Sequence, residues 1–165
     1  MRIIDSVLKE LEQESATTRT IIGQVPEDKL TWKPHQKSYS LGQLALHIAN
    51  IPGSVAAAAS QDSFEFPTTP QPEAKSRQEV LDAFAQSLAA ARELLNQMDD
   101  SRVMSTWNLT SGGNVVMSIP RIAFIRTILL NHTYHHRGQL SVYLRLLDIP
   151  VPAVYGPTAD ENPFA

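Results

Sequence analysis

Three histidines carry the residue types and spacing most suited to chemistry. His132 and His136 stand four apart in NHTYHHRGQL, and His47 stands far upstream in LGQLALHIAN. Neutral imidazole is the commonest protein ligand for metals, and residues i and i+4 of a helix lie one above the other on one face. Two rings stacked in this way can hold one ion together. A third ring on another helix would complete a three-nitrogen set with coordination positions left open, which is the usual layout of a catalytic rather than a structural metal.

The neighbours of these histidines exclude two familiar metal chemistries. A zincin needs H-E-x-x-H, in which the glutamate activates water, but here Thr133 follows His132. A di-iron bundle needs Glu-x-x-His on two helices. The residues three before His47, His132, His135 and His136 are Leu44, Leu129, His132 and Thr133, none of them a carboxylate. The chain has no cysteine, so it offers no thiolate ligand, no disulfide and no thiol nucleophile of its own.

A helical wheel at about 100° per residue ranks the rings. With His132 at zero, His136 falls at about 40°, Ile125 and Tyr143 at about 20°, Leu129 and Leu147 at about 60°, and Leu140 at about 80°. His132 and His136 are therefore expected inside the core stripe. His135 falls about 60° to the other side, which makes it a spare, second-rank or surface group. Tyr134 and Arg137 point away from the core on the same wheel and are read as structural. Two polar rings in an apolar stripe need partners, because an unpaired buried polar group costs a few kcal/mol. A shared metal supplies a partner to both. His47 lies at the edge of its own stripe, about 60° from Leu44, where it can face a neighbouring helix. Taken alone, a histidine at a stripe edge is more often a hydrogen-bonded structural residue than a ligand. His35, in WKPHQKSYS, reads as a loop residue.

Four helical segments are expected to position these groups. The first spans about residues 2–25 and ends at Pro26. The second starts at Ser40, which forms a capping-box pattern with Gln43, and carries Leu41, Leu44, Ile48, Ile51 and Val55. Pro52 and Gly53 predict a kink or break in it. The third opens with Ser76 and Glu79, another capping-box pair. The fourth takes Ser118 as N-cap and Pro120 near its first turn, and runs to about residue 147, roughly 40 Å. The reading is all-α: one four-helix bundle domain over residues 1–165. Residues 61–75 hold three prolines and can carry the chain from one end of the bundle to the other, making the second and third helices parallel. Residues 101–118 hold SGG between two β-leaning stretches and suggest a small hairpin. The tail VPAVYGPTADENPFA has no helical pattern, and its Tyr155 and Phe164 suggest packing rather than free chain.

Composition narrows the function classes. The chain has 165 residues, 42% apolar and 19% charged, with a net charge of −3. These values suit one soluble domain and give no basic stripe for nucleic acid. The N-terminus MRIIDSVLKELEQE lacks a signal-peptide apolar run, and no stretch approaches the roughly 20 residues of a membrane span. A cytoplasmic protein is expected, and the Asn108-Leu-Thr sequon is not expected to be glycosylated.

Three segments, WKPHQKSYSLGQLALHIAN, NHTYHHRGQLSVYLRLL and IPVPAVYGPTADE, resemble the DinB (damage-inducible) family of DinB/YfiT-like metalloenzymes, and the resemblance covers essentially the whole chain. It implies a four-helix bundle in up-down-down-up order and frequent homodimers. It also implies a divalent metal, nickel or zinc, on the three histidines that match the family's motif, His47, His132 and His136. Relatives include thiol S-transferases that use low-molecular-weight thiols. The resemblance therefore implies a metal-dependent enzyme on a small molecule, most plausibly a thiol S-transferase. A metal-dependent hydrolase and a non-enzymatic metal-binding stress protein are the alternatives. Asp160 and Glu161 would be candidate bases for a hydrolase only if the tail folds over the site.

Overall fold

A computed structural model describes residues 1–165. The long helices are α1 (Ile3–Ile22), α2 (Leu41–Ser60) and α3 (Arg77–Asn96). A short strand, β1 (Ser63–Glu65), lies between α2 and α3. A short helix, α4 (Asp100–Met104), leads into the hairpin β2 (Thr106–Ser111) and β3 (Asn114–Pro120). The chain then runs through one continuous helical rod. It begins as α5 (Arg121–Phe124), widens into a π-helix over Ile125–Asn131, and continues as α6 (His132–Leu146). No helix is long and apolar enough to cross a membrane.

The chain is mostly helical but not all-α. β1 pairs parallel with β2, and β2 pairs antiparallel with β3, giving a three-stranded sheet in the order β1-β2-β3. Gly112 and Gly113, both at positive φ, form the hairpin turn that the SGG motif predicts. β1 lies inside the proline-rich crossover, where a connection without strands was expected. A three-residue strand has no periodic signature, and its pairing is decided by β2, more than forty positions away.

Hydrogen bonds between helices record their directions. Ser40 Oγ donates to Glu73 just before α3, and the Gly53 amide donates to Ser87 Oγ, so α2 and α3 run parallel. Arg2 reaches Asn96 and the Arg77 amide reaches Glu27, so α1 is antiparallel to α3. Arg126 and Tyr134 meet Glu10, while Arg137 meets Glu14, so the last rod runs parallel to α1. Two apolar clusters fill the space between the helices. One gathers Leu11, Val55, Leu95 and Leu129 around Trp107, which stacks on Phe124 at 3.7 Å. The other gathers Ile21, Leu44, Phe84, Leu140 and Leu144.

Three local expectations need correction. Pro52 does not break α2, which continues to Ser60. The proline removes one intrahelical donor, and the next residue's amide, Gly53, turns to Ser87 Oγ on α3 at 2.7 Å. Ser118 is not a helix cap: it sits in β3 with its hydroxyl on Asn108 Oδ1, and Pro120 is the N-cap of α5. The third correction concerns the wheel. In a π-helix each amide reaches back five residues, so the winding is wider and each residue turns through less than the α-helical angle. The phase carried from Ile125 and Leu129 into α6 is therefore wrong. In α6 the buried residues are Thr133, Arg137, Leu140 and Leu144. Counted from His132 they lie at about 100°, about 140°, about 80° and about 120°. The core direction is centred there, and His132 and His136 sit at its margin, half-buried, rather than inside it.

The tail folds onto itself and onto the α1/α6 side. Asp160 pairs with Arg145 and accepts the Val151 amide at 2.9 Å, and Glu161 accepts the Ala153 amide. Tyr155 reaches Glu14 of α1 at 2.9 Å.

Candidate metal centre

The two helices that carry the histidines are antiparallel neighbours. His47 sits two turns into α2, whose start is set by Ser40. The Ser40 hydroxyl accepts the Gln43 amide at 3.0 Å, and Gln43 Oε1 accepts the Ser40 amide at 3.0 Å. His132 and His136 occupy the first two turns of α6. The i, i+4 spacing brings their Nε2 atoms to 2.6 Å, and His47 Nε2 lies 3.2 Å from His132 Nε2. One ligand atom from each ring falls within 4.8 Å of the others, and all three residues are half-buried.

This donor set fits a divalent cation. Three ring nitrogens converge on one point, and bare lone pairs this close repel unless a hydrogen or a cation lies between them. No fourth His, Asp or Glu joins the group. The trio expected from the sequence is thus brought together. His135, the neighbour, is exposed, with its ring beside that of His136 at 4.9 Å but outside the converging set. His35 is an exposed loop residue.

The surroundings keep the rings neutral, which is the state that ligates. Burial pushes His136 down to about 4, against an opposing pull from Gln139. Burial also lowers His132, and its closeness to other imidazoles adds to the shift, because a second charged ring beside a first would be repelled. His47 is lowered by burial, with an upward pull from the Gln71 side chain. In each case the charged ring loses more hydration than its neighbours return.

Several contributors were not read from the sequence. Gln139 Oε1 lies 2.7 Å from His136 Nδ1. Its i+3 spacing from His136 was the available signal. Gln71 comes from the crossover, held by Gln43 Nε2 on its carbonyl at 3.0 Å. Tyr39 sets its exposed ring 5.9 Å from that of His47, and its carbonyl accepts the Tyr143 hydroxyl at 3.2 Å. Arg137 corrects the wheel most plainly. It is buried rather than outward, donating to Glu14 Oε2 at 2.6 Å and Thr18 Oγ1 at 3.1 Å and reaching Tyr155. Tyr134 is half-buried and donates to Glu10 Oε1 at 2.7 Å. Both side chains therefore tie α6 to α1, on the side of the helix away from His47.

Comparison with known proteins gives consistent results. Residues 2–162 match the family model described as the DinB family. The chain is 26% identical over 159 residues to the uncharacterized protein YrdA of Bacillus subtilis (strain 168), covering 96% of this chain and 91% of that protein. Its fold is similar to the crystal structure of a DinB-like protein from Bacillus cereus ATCC 10987, with TM-score 0.72 and 25% identity over 90% of this chain and 95% of that one. It is also similar to YjoA, a DinB-like protein from Bacillus subtilis, with TM-score 0.68 over 90% of this chain and 97% of that one. At 16% identity the second likeness speaks for the fold alone.

Proposed function

The chain belongs to the DinB family, and from that premise we propose that it is a divalent-metal-dependent enzyme acting on a small molecule, a thiol S-transferase. The scaffold is read as a four-helix bundle in up-down-down-up order, a reading supported by the recorded helix directions. His47, His132 and His136 would hold the ion, nickel or zinc, in a cytoplasmic protein. One observation carries the reading: three ring nitrogens converge at a half-buried margin with no fourth His, Cys, Asp or Glu in the group. A structural zinc site usually closes with four protein ligands, whereas three leave room for a reactant.

A divalent ion in this place supplies Lewis acidity that favours the ionised form of a thiol or water beside it. The chain's own part is to bind and orient. Burial keeps the three rings neutral at physiological pH. The amide of Gln139 holds the His136 ring, and the exposed ring of Tyr39 offers an apolar wall beside His47. With no cysteine in the sequence, a thiol nucleophile must come from outside.

A hydrolase is the runner-up, with water in place of the thiol. The two carboxylates proposed as its base, Asp160 and Glu161, are engaged within the tail by Arg145, Val151 and Ala153. The test is direct. Metal-loaded protein should transfer a low-molecular-weight thiol to an epoxide or activated halide, with the rate collapsing on chelation and in His47→Ala. Turnover of an ester or amide in thiol-free buffer would support the hydrolase instead. Inactivity in both assays would support a non-enzymatic metal-binding protein.

A further inference from the structure

Among the side chains around the histidine cluster, Gln139 has the most specific geometry. It lies on α6 one turn beyond His136, and its Oε1 stands 2.7 Å from His136 Nδ1. An amide oxygen only accepts, so Nδ1 carries the hydrogen of this contact. A neutral imidazole has one N–H. With that hydrogen on Nδ1, Nε2 is left as a bare lone pair, and Nε2 is the atom that faces His132 at 2.6 Å.

We propose that Gln139 is a positioning residue that selects the ligating nitrogen of His136. The proposal rests on the metal-site reading above for its consequence, but its first part concerns the metal-free protein alone. Free imidazole divides between two tautomers, and only the Nδ1–H form presents Nε2 to the cluster. Gln139 removes that division before any ion arrives. It also holds the ring plane through a hydrogen bond whose donor and acceptor lie within one helical turn. An acceptor on the outer nitrogen makes the inner one more basic toward a cation, and losing such a partner typically lowers metal affinity 10–100-fold. His135 packs its exposed ring edge-on beside that of His136 at 4.9 Å, and the hydrogen bond at Nδ1 is made by Gln139.

The experiment uses the full-length protein and two readouts. Nitrogen-15 correlation spectra of the metal-free protein at pH 7.5 report the tautomer of each histidine. Zinc affinity is measured by competition with a chromophoric chelator. In the wild type, His136 should show Nδ1–H with an unprotonated Nε2. Gln139→Ala should convert it to a tautomer mixture and weaken zinc binding roughly 10–100-fold. Gln139→Glu, which keeps an acceptor oxygen at the same reach, should retain both the tautomer and tight binding. His135→Ala should change neither. A folded Gln139→Ala protein whose His136 tautomer and zinc affinity both match the wild type overturns the proposal. So does a changed tautomer with unchanged affinity. A wild type that binds no zinc while showing the expected tautomer sinks the metal-site reading and leaves the assignment of Gln139 standing.

Discussion

At the scale of single residues, the histidines are not equivalent, and the structure separates them. His136 lies in the converging trio and is braced by Gln139, whereas His135 is exposed and outside it. His136→Ala should abolish binding of one divalent ion per chain, and His135→Ala should leave most of it, as measured by metal analysis after dialysis. Equal loss in the two variants would mean that the wrong ring has been assigned. The same residues set a pH limit. Burial lowers His136 from 6.5 to about 4, so the fold favours the neutral ring. The unfolded chain takes up the proton first as pH drops below about 6.5, so the stability due to this ring is complete above that value and is lost as pH falls toward 4. Metal competes with the same proton in the folded protein, so occupancy should hold through about 6.5 and be lost as pH falls toward about 4. Melting temperatures of the metal-free protein between pH 7 and 4 should drop more for wild type than for His136→Ala. Full metal occupancy in strong acid would rule out a site built from histidine alone.

At the scale of elements, close approach of α2 and α3 is the contact most open to test. A Cβ on Gly53 would meet the Ser87 backbone at 3.0 Å and its hydroxyl at 3.1 Å. The Gly53 amide donates to that hydroxyl. Gly53→Ala should therefore force the helices apart and destabilise the fold by about 1–3 kcal/mol, the usual cost of overpacking. Urea denaturation gives the number, and an unchanged midpoint would show that the interface is softer than its geometry. α2 also carries His47, so the variant should weaken metal binding through displacement of that ring. The rod formed by α5, the π-helix and α6 shows how an element can mislead a pattern. Its periodicity looks continuous from Ile125 to Leu147, yet the wide segment ends immediately before His132. The histidines are thereby turned to the half-buried edge of the core, while Arg137 is turned inward onto Glu14.

For the whole molecule, the expectation of a homodimer comes from the family resemblance and is carried forward as a proposal. Light scattering across a wide concentration range should give twice the chain mass, and a constant monomer mass would reject it. The helices are packed by two extensive apolar clusters that do not include the histidines. Chelation should accordingly leave the far-ultraviolet circular dichroism unchanged, in contrast to proteins whose metal is the core of the fold.

What the sequence determined by itself was local. The i, i+4 pair, the Ser40 and Ser76 caps, the hairpin at Gly112–Gly113 and the apolar stripes of α1, α2 and α3 all lie within a few residues of their cause. They were legible because capping, turn formation and amphipathic burial act over one or two turns of chain. The three histidines were legible as residue types, and the i, i+4 spacing of two of them as a shared face. The tertiary structure decided the rest. It brought His47 to His132 across 85 positions, paired β1 with β2, and buried Arg137 against Glu14 across 123. It also placed Gln71 of the crossover beside His47. None of these has a periodic signal, because each depends on which surfaces meet when the helices pack. The direction of the core around α6 belongs to the same class. It is set by the sum of turns through a π-helix, and no count at a fixed angle per residue contains that information.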